Sequence, residues 1–152
     1  MWSKTKSLFL SRILTVSTAG LFLILTFFVP AVAAWYEDIS DGIGLIHTGI
    51  VLPMCICLYI AEFLGFCALW SLYRLLENIN KDKVFIAENT RCLRLISWEC
   101  MLAGVAFAVI GLWRFVFFMP ALMAVMFGLI MRVLKNVFEK AVEIKSENDY
   151  TI

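Results

Sequence analysis

The sequence contains a single histidine, His47, so it cannot supply a multi-histidine metal cluster. Five cysteines are present (Cys55, Cys57, Cys67, Cys92 and Cys100), but no two have the CxxC spacing of a zinc or redox site. On a helix, Cys55 and Cys57 point about 200° apart. All five read as small buried hydrophobes. Gly42, Gly44 and Gly49 follow no strand and therefore form no phosphate-binding loop. Charge is scarce as well, at 16% of residues. With no cluster of catalytic groups and no cofactor motif, the sequence predicts a protein that is not an enzyme and binds no cofactor or metal.

What the chain has in quantity is apolar surface. Hydrophobic residues make up 62% of its 152 positions, and the mean hydropathy is +0.90. A soluble domain is nearer 45–50% apolar, and a single domain of this length has no core large enough to hide the excess. Four apolar runs account for it, at about 13–34, 49–73, 97–113 and 117–134. Crossing the roughly 30 Å hydrocarbon core takes about 20 residues of helix. The runs are continuous rather than alternating, which excludes a β-barrel. The expectation is an all-α integral membrane bundle of four transmembrane helices in one domain. An inner loop spans 74–96 and a tail spans 135–152. A short, apolar connection at Arg114 separates the last two runs, so they form a tight antiparallel hairpin, with Arg114 snorkelling to the headgroups.

Orientation follows from Lys and Arg. Of the thirteen, Lys4, Lys6 and Arg12 precede the first run, and Arg74, Lys81, Lys83, Arg91 and Arg94 lie between the second and third. Arg132, Lys135, Lys140 and Lys145 close the chain, leaving Arg114 alone on the other side. Both termini are therefore expected in the cytoplasm, as in a multi-pass plasma-membrane protein. Lys4, Lys6 and the Ala31-Val32-Ala33 stretch also resemble a signal peptide. The run is longer than the usual apolar region of such a peptide, and Arg12 abuts it, so a retained span is the preferred reading. Pro30 is expected to kink or end the first helix. Trp35 and Tyr36 form an outer aromatic belt, with His47 interfacial.

The outer loop carries Glu37, Asp38 and Asp41 without EF-hand spacing, and reads as acidic and solvated. On the inner side, 74–80 should continue the second helix, Asn80 to Lys83 should turn, and Glu88 to Arg94 should be helical. Phe85 and Ile86 should pack on the inner rim. In the tail, Val133, Val137, Ala141 and Ile144 recur at helical spacing, an amphipathic extension whose stripe needs cover. Glu139, Lys140 and Glu143 are placed for weak surface pairs. The basic loop also suits contact with anionic headgroups, although topology alone explains its charge.

Two stretches resemble a known bacterial family. They are Asn78-Ile79-Asn80-Lys81-Asp82-Lys83-Val84-Phe85 with Glu88-Asn89-Thr90-Arg91-Cys92-Leu93-Arg94, and the ending from Ala141 to Ile152. The family is the domain-of-unknown-function family numbered 2975. The resemblance implies a small four-span protein of a bacterial plasma membrane, with no attached enzymatic activity. Its members are often encoded beside a small helix-turn-helix regulator, which implies a membrane partner for a transcription factor. A glycine common before the loop's Phe is Lys83 or Val84 here, so the turn differs.

Ionisable groups within a span cost roughly 2.5–3.5 kcal/mol on insertion scales, which makes them the sharpest site candidates. Glu62 lies near the middle of the second run, and Thr26 lies at similar depth in the first. The pair reads either as an inter-helix tie or as a proton- or ion-linked site. Glu99 and Arg132, at matching depth in the last two runs, are predicted to form an ion pair. Ser3, Ser7, Ser11, Thr15 and Thr18 mark one face of the first helix for close packing. The leading functional expectation is a non-enzymatic partner of a cytoplasmic protein, bound through Phe85, Asn89, Arg91, Val137, Ala141 and Ile144. Self-association is allowed, and direct contact with nucleic acid is not expected. The alternative is a small transporter, channel or toxin-immunity protein using Glu62.

Overall fold

The computed structural model describes residues 4–40 and 42–150. Ser3, Asp41 and Ile152, named above, lie outside the described residues. The chain forms α1 (Lys4–Ile39), α2 (Val51–Asn80), α3 (Ala87–Gly111) and α4 (Phe118–Tyr150), with one 3-10 turn at Phe115–Phe117 before α4. All four helices are long and apolar enough to cross a membrane, and the chain is a multi-pass membrane protein. At 1.5 Å per residue, α1 and α4 run about 50 Å, well beyond a hydrocarbon core of about 30 Å.

Each helix overruns its apolar run at the basic end, and α1 does so at both ends. α2 continues to Asn80 and α4 to Tyr150, as the patterns at 74–80 and 135–152 predict. α1 does not stop at Pro30 but passes through it to Ile39. In lipid an interrupted helix has no water to satisfy its freed carbonyls, which favours continuing. Trp35 to Ile39 therefore belong to α1 rather than to the outer loop. Between α2 and α3, Asp82 takes a left-handed φ of 57°, a conformation that short polar side chains tolerate. The N–H groups of Lys81 and Lys83 donate to the Asn78 carbonyl, and that of Asp82 to Ile79.

Consecutive helices are antiparallel, and the packing follows chain order: α1 on α2, α2 on α3, α3 on α4. Among the described residues α1 and α4 share no interface, so the four helices form an open row. The tightest contact is α3 on α4, where small residues let the backbones approach. Ser97 Oγ donates to the Gly128 carbonyl at 2.7 Å. A Cβ at Gly128 would stand 2.7 Å from Met101 Cγ, and one at Gly104 would stand 2.7 Å from Val125 Cγ2. One buried cluster joins Ala33, Ile50, Met54, Cys57, Ala106 and Ile110, and a second joins Leu75, Cys92 and Leu93 with Phe138 against them. Large apolar side chains such as Phe27 and Leu52 face outward, as lipid solvation requires.

One end of the row carries the start of α1, the 81–86 turn and the end of α4; most of the Lys and Arg residues lie there. At the opposite end the α1–α2 connection folds over the α3–α4 turn. Leu45 and Ile46 donate N–H groups to the Leu112 carbonyl, and Phe115 N–H donates to Ile43. Arg114 is held within this folded-over end. Its Nε donates to Ser40 Oγ at 3.1 Å and its Nη1 to the Trp113 carbonyl at 3.1 Å. The folded-over loop brings these acceptors to the guanidinium. Glu37 is exposed but fixed, with Oε1 accepting the Ile50 N–H at 3.1 Å at the entry to α2.

Candidate functional site

Midway along α1 and α2, the two polar groups singled out within the spans meet. Thr26 Oγ1 lies 2.8 Å from Glu62 Oε1 and 3.0 Å from the Phe22 carbonyl. Thr26 Oγ1 is the donor in both contacts, its hydroxyl shared between the Glu62 carboxyl and the carbonyl one turn back. Three residues beyond Glu62, Gly65 lets Phe22 lie directly on α2; a Cβ there would stand 2.4 Å from Phe22 Cε2. Phe22 in turn meets Phe66 edge-on, with ring centroids 5.7 Å apart. Glu62 lines a groove of about 310 Å³ with Leu25, Val29, Leu58 and Phe107, walled almost wholly by carbon. Tyr59 OH donates to the Thr26 carbonyl at 3.3 Å. The arrangement holds one carboxyl in an apolar cleft between helices. No group of three or more His, Cys, Asp or Glu residues able to hold a metal occurs among the described residues.

The predicted Glu99–Arg132 ion pair does not form. Arg132 places its guanidinium over the Trp98 ring, 5.0 Å from the centroid. Glu99 is half-buried, and its Oε2 is buried without a hydrogen-bond partner. Adjacent residues on a helix point about 100° apart. Trp98, rather than Glu99, faces the α4 side chain, and its ring offers a cation–π contact there. On the small polar face of α1, Thr15 is buried, and Thr15 and Thr18 donate back to the Ser11 and Leu14 carbonyls at 2.8 Å.

At the basic end, Asn89 is wholly buried and is no docking residue. Its Oδ1 accepts from Asn78 Nδ2 at 2.8 Å, and its Nδ2 donates to the carbonyls of Lys83 and Val84 at 2.8 and 2.7 Å. It clamps the 81–86 turn to the ends of α2 and α3. The buried carbonyls of a tight turn need donors, and a buried amide supplies them. Phe85 packs against Phe138 of α4 at 6.0 Å between centroids, yet remains partly exposed. Val137 and Ile144 are more than half exposed. Ala141 is partly covered and Arg91 exposed. Arg74 pairs with Glu88 at 2.9 Å, and Arg94 reaches Glu139 at 3.4 Å. Lys135 also holds Glu139, so that carboxylate sits below its ordinary range, chiefly through this hydrogen bond. The expected pairs of Glu143 are not among these contacts.

The family described as a protein of unknown function (DUF2975) matches residues 13–152, nearly the whole chain. The chain belongs to this family. The DUF2975 match takes in the Thr26–Glu62 tie, the Asn89 clamp and the α4 extension. Neither curated proteins nor solved structures gave a match.

Proposed function

We propose that this membrane protein is a non-catalytic binding partner of a soluble cytoplasmic protein, docked on the stripe of α4 beyond the bilayer. The orientation follows from the positive-inside bias, which puts the basic end in the cytoplasm, and the family resemblance implies a bacterial plasma membrane. The observation that carries the reading is the outward face of α4. Val137 and Ile144 stand about 60% exposed on one side of a helix that continues well past its apolar run. Apolar surface in water marks an interaction site. The family resemblance points to a helix-turn-helix transcription regulator as the partner, and an amphipathic helix laid in a groove is a known recognition mode.

The test is crosslinked purification from native membranes with mass-spectrometric identification. Val137→Asp with Ile144→Asp should remove the partner from the eluate while leaving membrane insertion and detergent elution unchanged. Recovery of the same partner from the double variant would defeat the proposal. Both positions are exposed, so this pair is a cleaner probe than Phe85, whose replacement also disturbs its contact with Phe138.

A second reading, transport or resistance through Glu62, is favoured by the carboxyl in its apolar cleft. It requires Glu62→Gln to change flux or peptide resistance at constant protein level. A fall in protein level instead identifies Glu62 as an inter-helix tie.

A further inference from the structure

On the opposite face of the α4 extension lies a different surface. At about 100° per residue, Lys135, Glu139 and Val142 point roughly 160° away from the Val137–Ile144 stripe. Glu139 and Val142 face the first turns of α3 across a groove of about 360 Å³ lined also by Thr90, Arg91, Arg94 and Leu95. Three independent features meet there. Thr90 is 7% exposed, and its Oγ1 is buried with no hydrogen-bond partner, although it borders the groove. A buried hydroxyl left unpaired costs about 1–3 kcal/mol, so a site that retains one is short of an acceptor.

The second feature is charge. Arg91 and Arg94 are exposed at the groove, and Glu139 is already engaged by Lys135 and Arg94. α3 starts here without a side-chain cap at Ile86, so its first N–H groups add positive potential. The third feature is depth. One turn after Arg94 come Trp98, stacked under Arg132, and then Leu102, both half exposed. Tryptophan beneath arginine marks the level where headgroups give way to acyl chains.

We propose that this groove binds the phosphate headgroup of an anionic phospholipid. Thr90 Oγ donates to a phosphate oxygen, Arg91 and Arg94 supply the countercharge, and the acyl chains run past Leu95 and Leu102. Phosphate accepts from a hydroxyl and from guanidinium together, and the cytoplasmic leaflet presents it at this depth. The surface is separate from the α4 stripe, so both ligands can be held at once.

The full-length protein, purified in mild detergent, is titrated with phosphatidylglycerol or phosphatidylcholine and read by native mass spectrometry. Wild type should retain phosphatidylglycerol about tenfold more tightly. Thr90→Val should weaken retention several-fold, and Thr90→Ser should restore it, which separates the hydroxyl from packing. Arg91→Gln with Arg94→Gln should bring phosphatidylglycerol to the level of phosphatidylcholine. Equal retention of the two lipids by wild type would overturn the proposal, as would phosphatidylglycerol retention indifferent to both sets of variants. Millimolar inorganic phosphate that displaces the lipid completely would reassign the groove to a soluble anion and overturn the lipid assignment.

Discussion

Asn89 shows how much one polar side chain settles at the turn between α2 and α3. Its amide answers two carbonyls and one donor in a place water does not reach. Asn89→Ala leaves all three unpaired and should destabilise the protein by about 2–4 kcal/mol. Reversible unfolding in mixed micelles measures this, and a change below 0.5 kcal/mol, roughly the size of a neutral surface substitution, would refute the clamp. Sequence pattern places Asn89 in a motif but does not reveal its direction, and a partner-facing residue looks the same as a buried one. Thr26 with Glu62 was legible because polar groups are conspicuous against lipid and both sit mid-span. Arg132 was misassigned for a subtler reason. Depth along the membrane can be counted in residues, whereas the side of a helix facing its neighbour depends on rotation. A rotation of about 100° exchanges Glu99 for Trp98.

At the scale of elements, the α3–α4 hairpin is held by absent side chains. At Gly128 an added Cβ would meet Met101 Cγ at 2.7 Å and the Ser97 carbonyl at 3.0 Å. The first neighbour can swing away, but the second is backbone. Gly128→Leu should therefore force the helices apart at a cost of about 1–3 kcal/mol. Ser97→Ala loses only one inter-helix hydrogen bond, worth about 0.6 kcal/mol in a bilayer. The ordering Gly128→Leu well beyond Ser97→Ala, read from the same unfolding assay, checks the packing; the reverse order would contradict it. The helices themselves were legible, because apolar run length and flanking charge report directly on lipid. Their ends were less so, and α1 passing Pro30 to Ile39 shows why. Proline ends helices in water, where carbonyls find new partners, and that remedy is missing in hydrocarbon.

Across the whole molecule, the antiparallel row places the start of α1 and the end of α4 on the same side as the 81–86 turn. The proposed function needs that side to be the cytoplasmic one, as charge bias implies. A membrane-impermeant maleimide applied to intact cells should label Ile43→Cys, which is 73% exposed at the opposite end, and should spare Ser146→Cys until the cells are opened. Labelling in the reverse order would invert the topology and remove the stripe from the reach of cytoplasmic proteins. The sequence announced four spans without their arrangement, since an open row and a closed ring of helices bury similar stripes. The open arrangement bears on Glu62 in particular. Its cleft is walled by α1, α2 and one phenylalanine of α3, and α4 does not cover α1. Whatever comes to rest beside that carboxyl arrives sideways, out of the acyl chains. Its concentration there is then governed by how strongly it dissolves in lipid, with the amount in the surrounding water counting only through that partition.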